Sequence, residues 1–172
     1  SMTTSVVEWL DTNVVQENEY LFGGNGQCLY PSDIASIPTH PHLVVITMED
    51  IHQVRVYDIC TKEFLCTRGT DDGCLHGEFG FPSSVVVTQD ASHVIVADSY
   101  KGCLIVLSLE IQEGTTSHNV TLTWLHVFGE EVLKHPYGLA LRTVNDRVTV
   151  LVAEWWGHRW GHLLILGCLI KL

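Results

Sequence analysis

The segment from Glu154 to His162 concentrates side chains that often carry recognition chemistry. Three tryptophans, one arginine and two histidines lie within these nine residues. Tryptophan and arginine are enriched in the hot spots of protein interfaces. We therefore assign Glu154, Trp155, Trp156, His158, Arg159 and Trp160 to a candidate binding surface. The alternative is that Trp155 and Trp156 fill gaps between packed elements or the seam between two copies of the chain, as large aromatic side chains commonly do.

Pairs of histidines offer a second kind of chemistry, the coordination of a metal ion. His158 and His162 are four residues apart, Glu154 is four residues before His158, and His40 and His42 form another pair. Imidazole and carboxylate groups are both ligands of zinc. A catalytic zinc site needs three ligands that converge from different elements, and these spacings bring no such trio together. The sequence therefore predicts no metal site and no cofactor.

The charge balance limits the classes of partner. Twenty acidic and nine basic residues give a formal charge of −11, and the basic residues are scattered singly. Nucleic-acid binding requires clustered lysine and arginine to neutralise phosphates, so a nucleic-acid partner is not expected. The first residues lack the basic and apolar regions of a signal peptide, and no apolar run has the length of a membrane span. We therefore expect a cytoplasmic protein without a membrane partner.

A glycine-rich turn that leads into a proline and a short apolar run occurs three times. Pro31, Pro82 and Pro136 mark the three copies, at spacings of 51 and 54 residues. A period of this length indicates one supersecondary unit that is repeated. The repeats predict units at about 21–68, 69–128 and 129–172, preceded by a lead-in over residues 1–20.

Inside each unit the apolar pattern is typical of β-strands. Short runs rich in Val, Ile, Leu and Thr alternate with turn residues, and no helical period is sustained. The pattern predicts an all-β chain with strands at 33–36, 43–48, 54–59, 63–67, 84–88, 93–97, 103–109, 122–128, 138–142, 148–153 and 163–169. A surface loop is expected over 112–119. The lead-in contains two strand-like segments, 6–10 and 19–22, and the second is a candidate for the fourth strand of the last unit.

The second unit resembles the repeat of the NHL family of β-propellers. The matching residues, in order, are Asp72-Gly73, Gly77-Glu78-Phe79, Phe81-Pro82, Val94 to Ser99 and Leu104 to Leu107. Lys101 and Cys103 replace the family's Asn and Arg, while Met48 and Glu154 stand in the place of Asp98 in the other two units. The resemblance covers about residues 21–170 and implies three four-stranded blades of a β-propeller.

Three blades do not close a ring, because propellers use about four to eight. An open half-ring would leave strand edges and apolar faces in water. We therefore expect a homodimer in which two copies form a six-bladed ring, the alternative being that further sequence completes it.

In a propeller of this kind, the turns between second and third strands share one face with the connections between blades. The resemblance places Asp50, His52, Asp72, Asp98 and Tyr100 on that face, together with the residues of the 154–160 segment. An acidic face with aromatic interruptions suits a protein or a basic peptide. We predict a non-enzymatic protein-interaction module. The alternative is a metal-dependent lyase or hydrolase, because propellers that resemble this family include a zinc-dependent lyase. RNA recognition, as in some members of the family, would require a basic face.

Overall fold

The computed structural model describes residues 30–70, 78–114, 118–145, 147–155 and 163–164. These ranges contain the strands β1 (Pro31–Ile37), β2 (His40–Met48), β3 (Gln53–Asp58), β4 (Glu63–Arg68), β5 (Pro82–Val87), β6 (His93–Asp98), β7 (Cys103–Glu113), β8 (His118–Phe128), β9 (Pro136–Val144), β10 (Arg147–Glu154) and β11 (Leu163–Leu164). No residue in them is helical, which confirms the predicted all-β class. Accordingly, this part of the chain contains no helix that could cross a membrane.

The strands form three antiparallel sheets in which consecutive strands are neighbours. The first sheet has the order β1-β2-β3-β4, the second β5-β6-β7-β8 and the third β11-β10-β9. Four, four and three strands are the numbers that the apolar pattern predicts. The predicted lead-in strands, and all of the predicted last strand beyond Leu164, lie outside the described residues.

The loop predicted over 112–119 is wrong in its extent. β7 continues to Glu113, which pairs with His118 at the start of β8. The apolar alternation persists into this hairpin, because Val120 and Leu122 are buried against the first sheet together with Leu109. In the described residues the hairpin is therefore a long extension of the second sheet.

The second sheet lies between the other two, and its strands are apolar on both faces for this reason. In β6, Val94 and Val96 join the core shared with the first sheet. Their neighbours Ile95 and Ala97 join the core shared with the third sheet. A strand that is buried on both faces lacks the alternation of a half-exposed strand. The continuous apolar run from 94 to 97 is the sequence signature of this central position.

The first strands of the three sheets are linked by a repeated set of hydrogen bonds. The Ser32 hydroxyl donates to the carbonyl of Pro82 (2.9 Å), and the Ser83 hydroxyl donates to the carbonyl of Pro136 (2.9 Å). One residue further along, Asp33 Oδ2 accepts the N–H of Val85 (3.0 Å). Ser84 Oγ accepts the N–H of Leu139 (3.1 Å) in the same way. The repeat in the sequence therefore corresponds to a repeated set of contacts, first between β1 and β5 and then between β5 and β9.

The connection from β4 to β5 is fixed by a buried phenylalanine. Phe79 is fully buried between the first two sheets, with its ring 5.3 Å from that of Trp124. At the start of the same connection Gly69 has a φ of 100°. A Cβ at Gly69 would lie 2.1 Å from the carbonyl oxygen of His52 and 3.0 Å from the Phe79 ring. Glycine is therefore required where this connection leaves β4.

Candidate functional site

One end of the sheets collects the turns and connections that carry most of the predicted binding residues. In an antiparallel meander, alternate turns fall on the same end of the sheet. The β2–β3 turn (49–52) and the β6–β7 turn (99–102) therefore lie at the end where β1, β5 and β9 begin. The residues before β5 and β9 reach the same end, as does Trp155 after β10. We call this the aromatic end.

Three rings at the aromatic end form a continuous row, the aromatic row, which consists of His52, Phe81 and Tyr100. The ring of His52 stacks on Phe81, with the centroids 5.6 Å apart, and Tyr100 packs edge-on against Phe81 at 5.4 Å. His52 belongs to the first sheet and the other two residues to the second. Tyr100 is 63% exposed and Phe81 is 36% exposed. The row thus presents aromatic surface to solvent across the junction of two sheets.

The position of His52 is fixed by the neighbouring sheet. Its Nδ1 forms a hydrogen bond with the carbonyl of Gly80, the residue that precedes Phe81. A Cβ at Gly80 would lie 2.9 Å from both the Tyr100 ring and a carboxylate oxygen of Asp98. Because a glycine is needed for this close approach, the backbone at Gly80 can lie directly beneath the row. The row is therefore supported by packing and by a hydrogen bond between loops.

Asp98, which the sequence assigns to the binding face, is fully buried beneath the aromatic row. Its carboxylate accepts the backbone N–H groups of Gly80 (2.5 Å), Phe81 (3.0 Å) and Lys101 (2.9 Å). These bonds tie the residues before β5 to the β6–β7 turn that carries Tyr100. The assignment of Asp98 to an exposed surface is therefore corrected, because this carboxylate positions the row from below.

Glu154 has a similar place in the third sheet. It pairs with Pro136 as Asp98 pairs with Pro82, and its Oε1 accepts the N–H of Lys134 (2.6 Å). The next residue, Trp155, donates its N–H to the carbonyl of His135 (2.9 Å), and its side chain is 64% exposed. Trp155 is thus anchored by its backbone while its indole faces solvent at the aromatic end.

Carboxylates lie in two loops at the aromatic end. Glu49 and Asp50 precede His52 in the β2–β3 turn, and Asp50 is exposed. Burial, together with the neighbouring charge of Asp50, raises the pKa of Glu49. Glu130 and Glu131 are exposed in the connection to β9. The backbone carbonyl of Glu78 accepts a hydrogen bond from Lys101 Nζ. Lys134 is also exposed in the connection to β9, so these two loops together hold four carboxylates and one lysine, and their net negative charge favours a cationic ligand.

The structure brings Asp50, His52, Asp98, Tyr100, Glu154 and Trp155 to the aromatic end, although Asp98 is not accessible. The predicted residues Asp72, Trp156, His158, Arg159 and Trp160 lie outside the described residues. Sequence reasoning missed Phe81, the central ring of the row. Its signal was the Phe81-Pro82 pair, which indicated only the start of a strand.

The opposite end of the first two sheets contains a cluster of three possible metal ligands, His42, Asp58 and His118, which we call the histidine cluster. One potential ligand atom of each residue lies within 4.8 Å of the others. Burial favours a raised pKa for Asp58. Hydrogen bonds from the N–H groups of Thr61 and Cys60 and the nearby charges of the two histidines lower it. Together they outweigh burial and hold the Asp58 pKa below its usual value. The cluster therefore combines two imidazoles with a carboxylate that is held in its charged form.

Comparison with known proteins gives a likeness of fold. No family model matches the chain, and no curated protein matches it. Among solved structures, hydrazine synthase from Kuenenia stuttgartiensis is similar, with a TM-score of 0.50 and 17% sequence identity. The match covers 78% of this chain but only 32% of that chain. At this level of identity the similarity concerns the arrangement of the strands and not the activity.

Proposed function

We propose that this chain is a non-enzymatic recognition module of β-propeller type that binds a basic peptide segment of another protein through its aromatic end. The observation that carries the proposal is the exposed aromatic row, held in place by Asp98 and the His52–Gly80 hydrogen bond. Aromatic side chains bury large areas at small entropic cost, so a fixed row is a suitable platform for a peptide.

The charge around the row supports a cationic ligand. Glu49, Asp50, Glu130 and Glu131 lie in two loops at the same end. Lysine and arginine side chains can stack on tyrosine and phenylalanine rings while their charged groups face carboxylates. A basic peptide would therefore combine cation–π contacts along the row with electrostatic attraction at its margins.

A peptide selection tests this proposal. A displayed library of random peptides is selected on the purified chain, and the affinities of the enriched peptides are measured by fluorescence anisotropy. We expect enrichment of peptides that contain lysine or arginine, and a loss of affinity of at least about 10-fold in Tyr100→Ala and in Phe81→Ala, since hot-spot residues contribute at least this much. The matched control is Phe64→Ala, which removes another exposed phenylalanine, from the start of β4 at the opposite end. Equal affinities of Tyr100→Ala, Phe64→Ala and the unmodified chain would contradict the proposal.

The repeated hydrogen bonds between β1, β5 and β9 support a propeller arrangement, in which the first strands of successive blades lie around a common axis. We propose that a second copy completes a six-bladed ring. Light scattering should then give a mass of about twice the 19.2 kDa of one chain. A mass of one chain at micromolar concentration would exclude completion by a second copy, without bearing on the peptide site.

A further inference from the structure

The histidine cluster is assembled by the topology of two sheets. His42 lies near the start of β2, and Asp58 is the last residue of β3, paired with Leu43 beside it. His118 is the first residue of β8 and reaches the first sheet because the β7–β8 hairpin is longer than the strands around it. Three side chains from three strands thus converge at the junction of two sheets, although they are far apart in sequence.

The distances in the cluster suit a small cation. His42 Nε2 and His118 Nε2 are 2.9 Å apart. Two ligands of a tetrahedral zinc ion, each about 2.0–2.1 Å from the metal, are roughly 3.3 Å from each other. The two Nε2 atoms would therefore have to move apart by only roughly 0.4 Å to coordinate the same ion. Asp58 Oδ1 accepts the N–H groups of Cys60 (2.8 Å) and Thr61 (3.1 Å), which leaves Oδ2 as the oxygen not used by the turn.

The two ring nitrogens of His118 have different surroundings. Its Nδ1 is buried and has no hydrogen-bond partner among the described residues. Its Nε2 faces a nitrogen of the same kind on His42. At this distance the N–H of one imidazole can donate to the lone pair of the other, or a metal ion that both nitrogens coordinate can take the place of that hydrogen. The adjacent Asp58 carboxylate supplies a third donor, which is what a metal ion uses.

We propose that His42, Asp58 and His118 bind one Zn²⁺ ion, and that this ion fastens the β7–β8 hairpin of the second sheet to the first sheet. A set of two imidazoles and one carboxylate favours zinc over calcium and magnesium, which prefer sites made of oxygen ligands. His40 borders the site, with its ring 5.7 Å from that of His118, and its Nδ1 is engaged by the hydroxyl of Thr39. The site lies at the end opposite the aromatic row and does not depend on the proposed function.

Calorimetric titration with zinc sulfate tests the proposal on the full chain, prepared without a histidine tag and dialysed against a chelator. We expect saturable binding that includes one site of micromolar or tighter Kd, and a rise in Tm on addition of zinc, because an ion that binds only the folded state stabilises it. His42→Ala, His118→Ala and Asp58→Asn should each weaken this site by at least about 100-fold, since changes even to residues behind the ligands can cost 10–100-fold.

The matched control is His126→Ala, which removes an exposed histidine from the same strand as His118 and should leave the Kd unchanged. Asp58→Asn protects the test against misfolding, because an asparagine Oδ1 can still accept the N–H groups of Cys60 and Thr61 while the charge is lost. Circular dichroism establishes that each variant is folded. The proposal is overturned if the unmodified chain shows no such site, or if folded Asp58→Asn binds zinc as tightly as His126→Ala does.

Discussion

Replacement of Asp98 by alanine is expected to lower the free energy of unfolding by about 4 kcal/mol. The carboxylate is fully buried and accepts three backbone N–H groups, from Gly80, Phe81 and Lys101. Each buried donor that is left without a partner costs about 1–3 kcal/mol, and water entering the vacated space reduces the total. Urea denaturation followed by circular dichroism measures the change.

Asparagine at position 98 separates the loss of charge from the loss of the acceptor. Its Oδ1 can accept two of the three N–H groups, but its NH₂ group would face the N–H of Gly80. We expect Asp98→Asn to cost about 2 kcal/mol, half the effect of alanine, because roughly one donor is left unpaired. The matched control is Asp50→Ala, an exposed aspartate at the same end, which should change the free energy of unfolding by less than about 0.5 kcal/mol. Equal stabilities of Asp98→Ala and Asp50→Ala would show that the buried carboxylate does not hold these loops.

Phe79→Ala is expected to destabilise the chain by about 4 kcal/mol, within the range of about 3–5 kcal/mol seen when a buried phenylalanine is truncated. The ring is fully buried between the first and second sheets and packs against Trp124. Its neighbours include the β4 end at Gly69, where the backbone has little freedom to collapse into the space. Thermal and urea denaturation both report the loss.

Phe81 provides a control two residues away. It is 36% exposed and lies in the aromatic row, so Phe81→Ala should cost less than half as much stability as Phe79→Ala while it weakens binding of the selected peptides. The two phenylalanines therefore separate stability from recognition. If Phe81→Ala destabilised the chain as much as Phe79→Ala, the aromatic row would be part of the core and not a binding surface.

The strands of this fold could be predicted from the sequence because each is a short apolar run between turn residues. The aromatic end could be predicted as well, since alternate turns of a meander share an end and so bring Asp50, His52 and Tyr100 together. The burial of Asp98 could not. An acid at the end of a strand has the same appearance in sequence whether it faces solvent or accepts backbone N–H groups, and only the path of residues 78–81 decides between them.

The histidine cluster was beyond sequence reasoning for a different reason. His42 was visible as part of a histidine pair, but Asp58 and His118 are 16 and 76 residues away from it. His118 belonged to a predicted loop, and only the register that pairs it with Glu113 extends the hairpin far enough to reach the first sheet. Contacts between sheets depend on such extensions, which the period of the repeat does not encode.

The hydrogen bonds between the first strands require the three sheets to follow one another in their present order. Each link requires a hydroxyl at the residue after the proline and an acceptor at the next one, as at Ser32 with Asp33 and at Ser83 with Ser84. The third sheet has Tyr137 and Gly138 at these two positions. The tyrosine hydroxyl lies at the far end of an aromatic ring and glycine has no side-chain acceptor, so this sheet can receive a link from the sheet before it but cannot offer the same link onward. In the first sheet, the N–H of Ile34 is at the position equivalent to the N–H groups of Val85 and Leu139. It donates to the Asp33 carboxylate of its own strand and not to another sheet. A chain in which the second and third repeats were exchanged would keep every strand but would lose these hydrogen bonds between the sheets.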